Sequence, residues 1–148
     1  MTHYFLTGAS SGIGAALVDQ LCKNGHKVSA VARRGDRLAE MAESHDRFFG
    51  AACDVTNADG LANAISQARN AQGKIDTAIL NAGIYHPQDG TAIDPLIYAQ
   101  HMNVNYMGII NSLSALIPEM VEHGGGHITI ISSVAGWRGL PRSAAYGP

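Results

Sequence analysis

The segment T-G-A-S-S-G-I-G, residues Thr7 to Gly14, constrains this chain more than any other. It stands between a short apolar run, Tyr4-Phe5-Leu6, and a stretch in which Ile13, Leu17, Val18 and Leu21 recur at helical spacing. Its glycines fall at positions 8, 12 and 14. A dinucleotide-binding turn needs such residues where the backbone bends tightly, where it approaches a diphosphate, and where the helix packs on the strand. The helix then opens with unpaired N–H groups that suit phosphate oxygens, and Ser10 and Ser11 can add hydroxyl donors. A serine- and glycine-rich turn can also be only a turn. Here the strand before it, the amphipathic helix after it and the tight glycine cluster agree on nucleotide binding. No Lys follows Gly14, so this is not the phosphate loop of the nucleoside triphosphatases.

The same alternation continues along the chain. Lys27 to Ala32 reads as a second strand, Asp36 to Ser44 as a short helix and Phe48 to Cys53 as a third strand. Asn57 to Ala71 is a helix with Leu61, Ala64, Ile65 and Ala68 on one face, stopped by Gly73. Thr77 to Leu80 is the fourth strand. Asp94-Pro95 looks like an N-cap followed by a first-turn proline, opening a long helical stretch to about Glu122, and His127 to Ile131 is the fifth strand. Five apolar strands separated by helices predict a doubly wound α/β fold of the Rossmann type, with a parallel sheet covered on both faces. The 148 residues hold no linker, repeat or composition shift, so 1–148 is expected to be one dinucleotide-binding domain.

The end of the second strand bears on which dinucleotide. A site for NAD usually places an acidic residue there for the ribose 2′-hydroxyl. This chain has Ala32, then Arg33 and Arg34. A guanidinium can pair with a 2′-phosphate and no carboxylate would repel it. Arg33 is favoured by position, with Arg34 and Ser10 as helpers; the other reading is two arginines that solvate a helix start. NADP(H) is therefore expected over NAD(H).

With these motifs in order, the chain resembles the short-chain dehydrogenase/reductase family. The resemblance rests on T-G-A-S-S-G-I-G, Cys53-Asp54-Val55 after the third strand, Asn81-Ala82-Gly83 after the fourth and Asn103-Val104-Asn105 in the long helix. Ile131-Ser132-Ser133 follows the fifth strand, with Tyr146 thirteen residues beyond Ser133. It implies that Asp54 accepts from the adenine amino group, that Val55 lines the ring pocket, and that Asn81, Ala82 and Gly83 make room for the ribose. Leu80 stands where the family often has another Asn. Asp54 could instead cap the helix near Asn57, and Asn105 could serve a polar helix face. The resemblance gives Asn105 a local helix distortion and a water of the proton relay, and makes Ser133 and Tyr146 the catalytic pair. A phenol, with a reference pKa of about 10, serves more readily as acid than as base. The implied reaction is hydride transfer between NADP(H) and a carbonyl or alcohol.

The resemblance also implies a Lys four residues after Tyr146, at position 150, and two strands beyond the five present. A chain ending at Pro148 is expected not to turn over by itself. The resemblance further implies dimers or tetramers through the long helix at about 95–122 and a helix that starts near Tyr146. Epimerase or dehydratase relatives, and a non-catalytic NADP(H) sensor, remain alternative functions. The former usually carry the third glycine one place later.

Composition excludes other classes. The net charge of −2 shows no basic stripe for nucleic acid. No apolar run of about 18 residues suits a membrane span, and the first strand begins too near Met1 to leave room for a leader. Cys22 and Cys53, without C-x-x-C spacing, read as buried thiols of a reducing compartment, so a cytoplasmic protein is expected. Of the seven His, His123 and His127 are separated by glycines, and no metal motif is present. No metal is expected.

Overall fold

The computed structural model describes residues 1–147. Strands β1 (His3–Thr7), β2 (Lys27–Ala32), β3 (Phe48–Ala52), β4 (Thr77–Leu80) and β5 (His127–Ile130) alternate with five α-helices. These are α1 (Gly12–Lys23), α2 (Gly35–Ser44), α3 (Ala58–Gln72), α4 (Pro95–His101) and α5 (Gly108–Glu122). The strands make one parallel sheet in the order β3-β2-β1-β4-β5. From β1 the chain steps outward one way through β2 and β3, then returns to add β4 and β5 on the other side. That reversal leaves a crevice at the carboxyl ends of β1 and β4, where open α/β sheets hold ligands.

Successive strand residues point to opposite faces. Phe5, Val31, Ala78 and Leu80 pack with Leu61, Ile65 and Ala68 of α3 and with Leu116 and Met120 of α5. Leu6, Val28, Ala30 and Ile79 face the other way, onto Val18 of α1 and Leu38 of α2. Each large side chain so buried contributes about 1.5–3 kcal/mol relative to exposure. The expected cover on both faces holds for the inner strands but not for β5. His127, Ile130 and Ile131 are exposed, because the cluster beneath α1 and α2 ends at Ile79 of β4. The two cysteines are half-buried rather than buried, and both are free thiols. Burial still pushes the Cys22 thiol up to about 11.

The Asp94 cap is as expected, whereas Asn57, read as the first residue of its helix, stands one place before it as the cap. Asn57 accepts from the Gly60 N–H at 3.0 Å at the start of α3, and Asp94 accepts from the Leu96 N–H at 2.9 Å beside Pro95. The long helical stretch is not uniform: Met102–Met107, between α4 and α5, is wound as a π-helix. Its widened turn carries Asn105, whose side chain bonds to Ile84 outside the helix. A π-bulge of this kind often marks a functional site.

At the amino end of the sheet His3 is 2% exposed. Its Nδ1 lies 3.0 Å from two carbonyls, Gly73 and Lys74, so it carries the proton, and Nε2 accepts from the Ser29 hydroxyl at 2.8 Å. Burial holds this imidazole below its ordinary pKa of 6.5. The His3 N–H donates to Asp76 and, with Lys74, holds that carboxyl below 3.8. In both cases the unfolded chain binds the proton more readily than the folded one. The stabilisation is thus complete above pH 6.5 and declines as pH falls through the His3 window, with Asp76 adding a second loss below 3.8. Urea midpoints measured across this range are expected to fall with acidity, and His3→Gln is expected to flatten the upper part of the curve. An unchanged slope in that variant would assign the pH dependence elsewhere.

Candidate active site

A cavity of about 800 Å³ opens at the carboxyl ends of β1, β2 and β4. Gly8, Ser10, Ser11 and Ile13 line it from the first turn, and Arg33 and Arg34 from the end of β2. Asp54 and Val55 follow β3, and Asn81, Ala82 and Gly83 follow β4. Gly12 and Gly14 are not in the lining; Gly12 takes φ +55° facing open space, and Gly14 packs against the Gly8 carbonyl and the Asn81 amide. Val31, Ala32, Cys53, Ile84 and Val104 also face the cavity. Of these, Ala32 marks the end of the second strand in the sequence, and Cys53 and Val104 belong to the motifs Cys53-Asp54-Val55 and Asn103-Val104-Asn105, though with no role of their own. Val31 and Ile84 are apolar neighbours that carry no sequence signal for this site.

The turn is held by β4. Thr7, 1% exposed, accepts at Oγ1 from the backbone N–H groups of Asn81 and Ala82, each at 3.0 Å. The Asn81 amide donates to the carbonyls of Thr7 and Gly8 at 3.2 Å. Its side chain is therefore a strut between the two strand ends. Gly8 sits at φ +72°, and a Cβ there would stand 2.7 Å from Ala82 Cα. A Cβ on Gly14 would strike the Gly8 carbonyl and lie 2.7 Å from the Asn81 amide nitrogen. Ser11 is the N-cap of α1 yet makes no side-chain cap hydrogen bond, which leaves the opening amides without a side-chain partner.

The two arginines differ. Arg34 donates from Nε and Nη2 to Ser10 Oγ at 3.1 and 3.0 Å, and from Nη2 to Ser11 Oγ at 2.7 Å. Arg33 is exposed on the cavity wall and makes no side-chain hydrogen bond among the described residues. It is Arg34, then, that the fold brings onto the serines. Both serine oxygens act as acceptors in these contacts, so their hydroxyl protons remain to donate into the cavity.

Asp54 Oδ1 accepts from the Thr56 N–H and hydroxyl, each at 2.9 Å, while the Asp54 carbonyl accepts from Asn57 N–H at 3.0 Å. Asn57, not Asp54, caps α3. The Asp54 side chain shapes the turn with one oxygen and has a second to offer. Val55 is pinned from α5: Asn111 Nδ2 donates to its carbonyl at 2.9 Å, and a Cβ on Gly108 would lie 2.6 Å from Val55 Cγ2.

The expected catalytic residues stand outside this lining. Asn105 uses both ends of its amide on one residue, accepting from the Ile84 N–H at 2.8 Å and donating to the Ile84 carbonyl at 3.0 Å. Ser133 caps the 3-10 turn Val134–Gly136, its Oγ accepting from Ala135 N–H at 3.2 Å, which leaves its proton to donate. The Tyr146 ring packs edge-on against Tyr85, at 5.1 Å between centroids and 66°, and against His101, at 6.3 Å and 73°. No hydrogen bond joins Ser133, Tyr146 and Asn105 to one another among the described residues. Trp137 is 93% exposed. His101 was not singled out from the sequence. Its burial is seen only in the structure, where positions 101, 108, 112, 116 and 120 are the buried ones of residues 95–122.

A family profile described as short chain dehydrogenase matches residues 2–148. The chain belongs to the short-chain dehydrogenase family. Enzymes of this family bind a nicotinamide dinucleotide. An uncharacterised oxidoreductase of Listeria innocua is 34% identical to this chain over 146 residues, covering 96% of this chain and 59% of the relative. One from Staphylococcus saprophyticus is 37% identical over 143 residues, covering 95% and 58%. The chain thus spans a little under three-fifths of the length of these curated relatives. Among solved structures, serine dehydrogenase from Escherichia coli superposes with a TM-score of 0.92 at 28% identity, covering 99% of this chain and 68% of that one. A closed form of serine dehydrogenase complexed with NADP+ gives 0.93 at 28% identity, covering 99% and 60%.

Proposed function

We propose that this chain supplies the nucleotide site and catalytic side chains of an oxidoreductase that moves a hydride between NADP(H) and a small carbonyl or alcohol. One observation carries the proposal. The segment 81–85 lines the nucleotide cavity with Asn81 to Ile84, is clamped at Ile84 by Asn105, and lays Tyr85 against Tyr146. Cofactor site and candidate acid are thus joined by consecutive residues.

The residues fit the dinucleotide. Gly8, Gly12 and Gly14 keep the turn low, with Ser10, Ser11 and Ile13 around the diphosphate. Arg33 and Arg34 take the 2′-phosphate. Asp54 accepts from the adenine amino group with its second oxygen, and Val55 covers the ring. Asn81, Ala82 and Gly83 leave space for the ribose. When bound, the nicotinamide supplies the hydride chemistry. Ser133 donates a hydrogen bond to the reacting oxygen, Tyr146 exchanges the proton there, and Asn105 holds a water of the proton path.

Oligomers through residues 95–122 belong to the same proposal, supported by the exposed Tyr106, Met107, Ile110, Ile117 and Val121 on that stretch. No described helix is long and apolar enough to cross a membrane. With both cysteines as free thiols, we place the protein in the cytoplasm.

The test is calorimetric titration of the complete protein with NADPH and NADH, followed by turnover on a carbonyl panel. NADPH is expected to bind tighter, because a charge-assisted contact contributes roughly 1.5–3 kcal/mol, about tenfold to a hundredfold. Arg33→Ala and Arg34→Ala are each expected to remove at least the lower part of that preference, leaving NADH affinity little changed. Equal affinities for the two cofactors in the parent would overturn the NADP(H) assignment.

A further inference from the structure

We infer that His101 is a positioning residue for Tyr146, acting through the backbone of residues 84–86; this rests on the oxidoreductase reading above. His101 is 1% exposed at the end of α4, and the buried positions that follow it in α5 are Gly108, Ser112, Leu116 and Met120. An imidazole there is tolerated only with both nitrogens satisfied. Nδ1 donates to the Ile97 carbonyl at 2.7 Å, one turn back, which leaves Nε2 as an acceptor for the His86 N–H at 3.0 Å.

His101 and Asn105 lie four residues apart on the same helical stretch. Together they take the N–H and carbonyl of Ile84 and the N–H of His86. Tyr85, between those two anchors, has its backbone held on both sides. Its hydroxyl donates to the Arg142 carbonyl at 3.4 Å and its ring stands edge-on to Tyr146. The His101 ring makes the second edge contact on Tyr146. Such contacts orient a ring and leave its hydroxyl unengaged, and the Tyr146 hydroxyl has no hydrogen-bond partner among the described residues. The clamp on 84–86 therefore decides where the phenol oxygen stands. A displacement of about 1 Å at a reacting group can cost roughly a hundredfold in rate.

Two variants of the complete protein separate positioning from packing. His101→Phe keeps a ring but loses the acceptor for the N–H of His86, an exposed residue that can turn to water without unfolding the chain. His101→Gln restores an acceptor at the reach of Nε2 without the ring. His101→Phe is expected to lower kcat by about tenfold to a hundredfold, with NADPH affinity and substrate KM within about twofold. His101→Gln is expected to recover kcat to within about threefold of the parent. The 13C ring signal of Tyr146, assigned by its loss in Tyr146→Phe, should move in the first variant and return in the second. Overturning results are a kcat within twofold of the parent in His101→Phe, or equal losses of kcat, NADPH affinity and Tm in both variants. If the parent turns over no carbonyl yet the ring signal moves as described, the proposed function falls and the placement of Tyr146 by His101 stands.

Discussion

Tyr146→Phe in the complete protein is expected to lower kcat for carbonyl reduction by about 10²–10⁴-fold, the range by which a positioned acid or base accelerates proton transfer. NADPH affinity and Tm are expected to stay close to those of the parent. The ring contacts with Tyr85 and His101 need no oxygen, so the substitution keeps the packing. The Tyr146 hydroxyl bonds to nothing among the described residues, so its removal orphans no buried donor. In the proposed mechanism Ser133 keeps its proton to donate to the reacting oxygen, which is why some turnover should survive. Stopped-flow or steady-state kinetics with NADPH would show the drop in kcat. A variant that keeps more than a third of the parental kcat would take Tyr146 out of the chemistry.

Gly14→Val is expected to damage the nucleotide site more than any other single change in the turn. A side chain there meets the Gly8 carbonyl and the Asn81 amide, both backed by β1 and β4. Neither can yield without breaking the strut that Asn81 makes between the strand ends. Overpacking of this sort costs about 1–3 kcal/mol of stability. The larger effect falls on binding, because α1 must move away from the strand and carry its opening amides with it. Losing one or two charge-assisted contacts to the diphosphate, each worth about 1.5–3 kcal/mol, weakens NADPH by roughly a hundredfold or more. Calorimetry with NADPH, alongside a thermal melt to show that the variant is folded, measures it. An affinity within twofold of the parent would mean that the turn does not face the dinucleotide.

Much of the site was legible because its signals are local. The glycines at 8, 12 and 14, the cap at Asp94, and the apolar runs of the five strands act over a few residues. Backbone conformation and side-chain period are set at that range. Ser133 at the carboxyl end of β5 follows from strand placement alone. The partial cover of β5 was not legible, since an apolar strand reads the same whether or not a helix lies over it.

The roles of individual side chains separate along the same line. Arg33 and Arg34 are neighbours, and position in the sequence favours Arg33. Their difference arises because residue 34 opens α2 with its guanidinium turned back onto Ser10 and Ser11, 24 and 23 positions away. Asn105 is conspicuous in a helix, but its partner Ile84 is 21 residues distant.

The alternation of strands and helices, the glycine turn at 8–14 and the family are legible in local patterns, which a few neighbouring residues impose on their own backbone. The tertiary structure alone decided which arginine meets the serines, how Asn81 braces the turn, where the helix winds as π and that His101 reaches His86. Each of those is a contact between segments that the sheet order brings together, and its energy exists only once the sheet has formed.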